Sequence, residues 1–135
     1  MEQLDLTSYK NALASLDEVI KVYNSDRENK ITRDSLIQRF EYTYSLALKM
    51  MKRYFKISAF ENDNIEGMTF NEMIRTANKM GLLLSNLEVW NNYRMKRNMT
   101  SHTYDESTAQ TVVSIIEDFY KDAEFLLNKL EENLS

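Results

Sequence analysis

The sequence predicts an all-α fold, namely an up-and-down antiparallel four-helix bundle with one additional short helix. Residues that interrupt helices are scarce, because the 135 residues include no proline and only two glycines. Apolar residues recur at alternating steps of three and four, which is the spacing of one helix face. The length suits one hydrophobic core, so we expect residues 1–135 to form a single domain.

The first two predicted helices span residues 7–23 and about 32–56, and a polar connection at residues 24–30 separates them. Thr32 or Asp34 can cap the second helix by accepting hydrogen bonds from free backbone amides. The second helix has two adjacent apolar stripes, so we expect it to be central in the bundle. The first helix has one stripe, formed by Leu6, Tyr9, Leu13, Leu16, Ile20 and Tyr23.

Two capping boxes, each a Ser or Thr followed three residues later by Glu, divide the middle of the chain. The box at residues 69–72 opens a short helix over about residues 70–80, which Gly81 ends. The box at residues 85–88 opens a fourth helix that runs to roughly Thr100.

The last predicted helix starts at a cap provided by Asp105 or Ser107 and continues to the end of the chain. Its wide apolar stripe indicates either a helix in the bundle interior or a dimer surface. The mixed stretch at residues 57–68, before the short helix, is the longest predicted loop.

One local patch of positive charge stands out in a chain of net charge −4. Residues 89–104 include no acidic side chain but contain Arg94, Lys96 and Arg97, together with His102, the only histidine. A histidine beside a cationic patch suits an anion such as phosphate.

Arg97 and His102 would diverge on one regular helix, since five residues correspond to about 140 degrees around its axis. They can converge only if the helix ends between them, and Thr100 and Ser101 are weak helix formers that allow such a break. A guanidinium, an imidazole and the phenol of Tyr104 would then face a common pocket.

Two stretches of the sequence together resemble one protein family. The first stretch begins with Arg97 and Asn98, continues after three residues with His102, and ends after one more residue with Tyr104. This order is similar to the signature of HEPN domains. Residues 34–44 also resemble the HEPN branch found beside minimal nucleotidyltransferases, whose members are called HepT-like or nucleotidyltransferase substrate-binding proteins. The resemblance covers nearly the whole chain and implies a helical bundle.

For this family the resemblance implies metal-independent RNA cleavage in a homodimer where two motifs meet. His102 would remove the proton of a ribose 2′-hydroxyl, and Arg97 would stabilise charge on the attacked phosphate, leaving a 2′,3′-cyclic phosphate. Asn98 fits the polar position that can hold the imidazole, and Tyr104 fits the extension of the HepT-like branch. Arg94 adds a supporting positive charge.

The resemblance also implies a partner, a separately encoded minimal nucleotidyltransferase that neutralises the ribonuclease as antitoxin to toxin. The chain itself lacks the Gly-Ser turn and the paired carboxylates on strands that nucleotidyl transfer needs. We hypothesise that Tyr104 accepts a nucleotidyl group from the partner, whose phosphate would repel RNA. The alternatives are a non-catalytic subunit that binds a nucleotide or substrate for the transferase, and a purely structural helical dimer.

The motif side chains also have structural interpretations. His102 would cap the fourth helix, Arg97 would pair with Asp105 and Glu106, and Tyr104 would be a phenol buried between helices.

Arg39 and Glu41 in the second helix have two interpretations as well. They are two residues apart and point to different sides, so they either belong to the polar face or contact residues 97–104 and orient them.

The composition excludes several classes of site. No cysteine and one histidine provide no disulfide framework, no thiolate and no His/Cys zinc cluster, so we expect neither a metal nor a cofactor. The absence of a leader and of a stretch of roughly 18 apolar residues predicts a cytoplasmic protein without membrane contact. The acidic charge predicts no DNA binding and only local contact with RNA.

Overall fold

The computed structural model describes residues 4–58 and 65–134, and these residues contain helices and turns but no β-strand. The predicted all-α bundle is therefore confirmed. Within these two ranges, no helix combines the length and apolar character that a membrane span requires. The α-helices are α1 (Thr7–Ser25), α2 (Lys30–Ile57), α3 (Phe70–Lys79), α4 (Leu87–Asn98), α5 (Glu106–Val113) and α6 (Ile116–Leu134).

α2 is the central helix, as its two apolar stripes predict, and it contacts each of the other five. The aromatic rings at the centre of the core meet edge to face. The centroids of Phe40 in α2 and Phe119 in α6 are 5.0 Å apart, and Tyr93 in α4 lies 5.4 Å from Phe119. These buried rings fix α4 against α2 and α6, and thereby position the end of α4.

The start of α2 differs from the prediction. The helix begins at Lys30, before Thr32 or Asp34, because the Asn29 side chain accepts a hydrogen bond from the Thr32 amide at 3.0 Å. α1 likewise continues to Ser25, so the polar connection is shorter than predicted.

The predicted loop at residues 57–68 is described only in part. α2 continues through Ile57, residues 59–64 lie outside the described residues, and Ile65–Gly67 forms a short 3-10 turn against α2.

Of the two predicted capping residues, Thr69 caps its helix and Ser85 does not. Thr69 caps α3 as predicted, accepting a hydrogen bond from a first-turn amide at 3.1 Å, and Gly81 follows α3 with a φ of 74°. α4 is capped by Asn86 instead of Ser85, and the Asn86 side chain accepts from the Val89 amide at 3.2 Å. Asn and Ser are equally good caps, so the sequence could not separate the two neighbours.

The prediction of one long last helix is wrong, because α5 and α6 are separate helices divided at Ser114 and Ile115. The Ser114 hydroxyl donates to the Thr111 carbonyl at 2.6 Å, a local bond that competes with regular helix geometry. Residues 112–116 include four β-branched side chains, which lose rotamer freedom in a helix. Buried side chains continue on both sides of the break, so the apolar period does not reveal it.

Candidate functional site

α4 ends between Arg97 and His102, where the sequence requires a break if the two are to converge. The helix stops at Asn98, and Thr100–His102 forms a 3-10 turn. The Thr100 hydroxyl donates to the Arg97 carbonyl at 2.8 Å and so satisfies a free carbonyl at the helix end. We call residues 99–104 the motif turn.

Asp105, one of the two predicted caps of the last helix, caps α5 directly after the motif turn. Its side chain accepts hydrogen bonds from the amide and the hydroxyl of Thr108, at 3.0 and 2.8 Å. These bonds hold the pKa of Asp105 below its usual value. The motif turn is therefore held by the Thr100 hydrogen bond on one side and by the Asp105 cap of α5 on the other.

The Arg97 guanidinium is directed towards α2. Its Nη1 lies 3.2 Å from the Thr100 hydroxyl oxygen and 3.7 Å from Oε2 of Glu41. The side chain remains about one-third exposed, at 36%. Arg97 is thus held in one orientation while part of its donor surface stays open to a ligand.

His102 and Tyr104 lie side by side on the surface. Their ring centroids are 6.1 Å apart at an interplanar angle of 74°, and Tyr104 is 87% exposed. Among residues 4–58 and 65–134, neither ring has a hydrogen-bond partner, and the Arg97 guanidinium contacts neither ring. Both polar groups are therefore available to molecules outside this chain.

The structural interpretations of the motif side chains do not match these contacts. Within residues 4–58 and 65–134 the His102 imidazole makes no hydrogen bond to a helix end, and Tyr104 is exposed instead of buried. Glu106 pairs with Arg33 rather than with Arg97, at 2.7 Å.

Arg39 and Glu41 have different surroundings, although both belong to α2. Arg39 Nη1 donates to the Ser15 carbonyl at 2.8 Å and lies 3.9 Å from Glu18, so it faces α1. Only Glu41 contacts residues 97–104, through Arg97.

Asn98 and Arg94 also lie near the end of α4, and both are exposed. The Asn98 side chain has no hydrogen-bond partner in the described part of the chain, so the bond to the imidazole expected for it is not formed within one chain. The Arg94 guanidinium carbon lies 5.0 Å from the centroid of the Phe70 ring, a cation–π contact with α3.

Three positively charged side chains lie near the end of α4, and we call this set the cationic patch: Arg94, Lys96 and Arg97. Lys96 donates to the Asn92 side chain at 2.8 Å. The carboxyl end of a helix favours cations, which helps to explain why the patch lies there. No group of three or more potential metal-ligating side chains occurs among the described residues.

Sequence reasoning missed two residues that support this region. Arg33 is only 6% exposed and pairs with Glu106 directly after Asp105; this contact, with Gln110, lowers the pKa of Glu106. Tyr44 is buried in α2, one turn after Glu41. Tyr44 belongs to the second apolar stripe of α2, so its burial was predicted although a role at the motif was not. Arg33 continues an apolar stripe of α2 by one turn, a signal that could have revealed its burial.

The comparisons with known proteins agree with the fold. Residues 4–132 match the family model described as nucleotidyltransferase substrate binding protein like. A Haemophilus influenzae protein named probable ribonuclease HepT is 37% identical over 140 residues, which cover 97% of this chain and 94% of that protein.

Two solved structures are similar as well. One is a Haemophilus influenzae protein described as revealing the fold of a substrate binding domain of a nucleotidyltransferase. It has a TM-score of 0.85 and 35% identity, over 94% of this chain and 99% of that one. The other, from Thermus thermophilus, has a TM-score of 0.68 and 28% identity, over 90% and 98% of the chains. The chain therefore belongs to the nucleotidyltransferase substrate-binding-like family.

Proposed function

We propose that this protein is a cytoplasmic HEPN ribonuclease that cleaves RNA without metal and is paired with a minimal nucleotidyltransferase. The observation that carries the proposal is the end of α4. The helix stops between Arg97 and His102, and the exposed His102 imidazole, which has no hydrogen-bond partner among the described residues, follows the cationic patch. The name of the Haemophilus relative, probable ribonuclease HepT, supports the same activity.

In the proposed reaction His102 accepts the proton of a ribose 2′-hydroxyl, whose oxygen then attacks the adjacent phosphorus. Arg97 donates hydrogen bonds to the phosphate oxygens, where negative charge grows. The bond from phosphorus to the 5′-oxygen breaks, and that oxygen takes up a proton. The products carry a 2′,3′-cyclic phosphate and a 5′-hydroxyl.

We propose that a homodimer completes the site. Within one chain the Arg97 guanidinium does not contact the His102 ring, whereas both remain exposed in part. A second copy facing the motif turn would supply another imidazole, which could protonate the leaving oxygen while the first acts as base. Asn98 and Arg94 would support the substrate around this pair.

Tyr104 is the proposed point of control by the partner. Its phenol oxygen would attack the α-phosphorus of ATP on the transferase, with release of pyrophosphate and of the phenol proton. The added phosphate would occupy the cationic patch and repel RNA, in the manner of an antitoxin. Mass spectrometry after incubation with partner, ATP and magnesium should show the added nucleotide on the wild type and none on Tyr104→Phe. An unmodified wild-type Tyr104 would contradict this step.

The test of the ribonuclease proposal is cleavage of end-labelled RNA in EDTA, with identification of the product ends. We expect cyclic phosphate ends from the wild type and a loss of at least about 100-fold in rate for Arg97→Ala. Lys129→Ala is the matched control, because it removes one positive charge near the end of α6, outside the cationic patch. Equal losses in the two variants would contradict a specific role for Arg97.

A second candidate is a non-catalytic subunit that binds a nucleotide or another substrate for the transferase. The description of the Haemophilus structure as a substrate binding domain favours it, and so does the open cationic patch. A folded wild-type protein that binds a nucleotide in the presence of the partner but cleaves no RNA would support this candidate.

A further inference from the structure

Tyr44 in α2 is a buried tyrosine whose hydroxyl has no hydrogen-bond partner within residues 4–58 and 65–134. The side chain is only 6% exposed, and its ring centroid lies 6.2 Å from those of Phe40 and Phe119. By contrast, the buried Tyr9 donates to the Ala123 carbonyl at 2.6 Å, and Tyr93 donates to Asp122. Buried hydroxyls are normally bonded, so the free hydroxyl of Tyr44 requires an explanation.

The Tyr44 hydroxyl is not sealed inside the core. In the described part of the chain, the side-chain polar atoms that lack both solvent contact and a partner are Arg33 Nε, Trp90 Nε1 and Asp122 Oδ1. The Tyr44 oxygen is not among them and therefore keeps access to solvent. It is a buried phenol with an accessible tip.

The neighbours of Tyr44 place this tip at the cationic patch. Glu41 and Tyr44 are one turn apart on α2, Arg94 and Arg97 are one turn apart on α4, and the two helices are packed together. Glu41 contacts Arg97 at 3.7 Å, which brings the part of α2 that contains Tyr44 to the end of α4.

The charges around Tyr44 agree with this geometry. Burial raises the pKa of Tyr44 to about 12, and the positive charges of Arg94 and Arg97 act in the opposite direction. The phenol consequently stays protonated near neutral pH and is a neutral hydrogen-bond donor beside two guanidinium groups.

We propose that Tyr44 is a phosphate-binding residue of the motif site, where its hydroxyl donates a hydrogen bond to a phosphate oxygen held by Arg94 and Arg97. The inference rests on the proposed function, because the ligand is the phosphodiester of RNA. The motif residues lie on α4 and in the motif turn. Tyr44 would add to the site an uncharged hydrogen-bond donor from a different helix, α2. The Tyr44 ring packs against Phe40 and Phe119, which holds it in one position. The hydroxyl would therefore determine how close to the core the phosphate binds.

The test is Tyr44→Phe, which removes one oxygen and keeps the packed ring. Tyr23→Phe is the matched control, since Tyr23 is 5% exposed, its hydroxyl has no hydrogen-bond partner in the described residues, and it lines a cavity beside α1 and α6. The probe is a short RNA with 2′-fluoro groups, which cannot undergo attack by a 2′-oxygen. We expect Tyr44→Phe to weaken binding about tenfold, whereas Tyr23→Phe changes it less than twofold.

The salt dependence of RNA binding distinguishes an uncharged hydrogen-bond donor at Tyr44 from a positively charged group. Tyr44→Phe removes no positive charge, so the slope of log affinity against log salt should equal that of the wild type. In the wild type, the Cζ resonance of ¹³C-labelled Tyr44 should shift on addition of the RNA while that of Tyr23 does not. This measurement requires no mutant to fold.

The outcomes distinguish the inference from the proposed function. If the wild type cleaves RNA, but Tyr44→Phe binds the probe as tightly and the Tyr44 resonance is unmoved, then the role of Tyr44 is wrong and the ribonuclease proposal stands. If the wild type neither binds the probe nor cleaves RNA, then the proposed function fails and the inference falls with it.

Discussion

We divide α4 after Tyr93: residues 87–93 are called its first half and residues 94–98 its second half, and the two differ sharply in burial. In its first half, Trp90 and Tyr93 are buried, at 0% and 2% exposure, and pack against α6. In its second half Arg94 and Asn98 are exposed, and Tyr104 beyond the helix is 87% exposed. One helix therefore serves as a core element and then as the support of a polar surface. Substitutions in the two halves should separate stability from activity.

The largest loss of stability is expected for Trp90→Ala in the buried half. Removing a fully buried indole should lower the free energy of unfolding by about 3–5 kcal/mol. Urea denaturation followed by circular dichroism measures this value. A loss below about 1 kcal/mol would show that the first half of α4 contributes little to the core.

Tyr93→Phe should have a smaller effect in the same half. The Tyr93 hydroxyl donates to Asp122, which is 3% exposed and whose other oxygen already lacks a partner among the described residues. Loss of the donor leaves the carboxylate uncompensated and should cost about 1–3 kcal/mol. Trp90→Phe, which retains an aromatic ring, is a control for packing in the same urea experiment. An unchanged midpoint for Tyr93→Phe would contradict this account of the pair.

Glu106→Gln tests the contact that follows the motif turn and should act mainly through pH. The pKa of Glu106 is lowered in the folded state, mainly by the hydrogen bond from Arg33. The contact between Arg33 and Glu106 therefore stabilises the fold above the unfolded pKa of 4.5, and this stabilisation is lost as pH falls through the folded pKa. The wild type should be more stable than Glu106→Gln at pH 7, and the difference should shrink as pH falls below 4.5 and vanish once pH is below the folded pKa. Thermal melts across this range measure it. A difference that persists at low pH would exclude the ion pair as its cause.

The smallest effect on stability is expected for Tyr104→Phe in the exposed region. The hydroxyl has no partner in the described residues, so the free energy of unfolding should change by less than about 0.5 kcal/mol. The same urea titration gives this value, and a loss above about 1 kcal/mol would indicate a structural contact of the phenol.

The fold was predictable because its main signal, apolar spacing at the helical period, is local. Caps such as Thr69 and the stop at Gly81 are also local signals. The break at Ser114 was missed because apolar residues continue through it, and the Ser114 hydroxyl that donates to the Thr111 carbonyl there leaves no mark on the apolar pattern.

The surroundings of the motif were less predictable, because they depend on how helices pack. The end of α4 could be inferred from the divergence of Arg97 and His102. The rotation of α2 about its own axis decides whether Arg39 or Glu41 faces α4. The spacing of apolar residues does not predict that rotation precisely enough to distinguish two residues that are two positions apart. The burial of Tyr44 depends on the packing of α2 against α6, where its ring centroid lies 6.2 Å from that of Phe119.

The most direct test of the account is to measure RNA cleavage in EDTA and the free energy of unfolding on the same preparation of His102→Ala. We expect cleavage to fall at least about 100-fold because the general base is lost. The unfolding free energy should stay within about 0.5 kcal/mol of the wild type, since the exposed imidazole has no hydrogen-bond partner in the described residues. Undiminished cleavage by a folded His102→Ala protein would contradict the central claim.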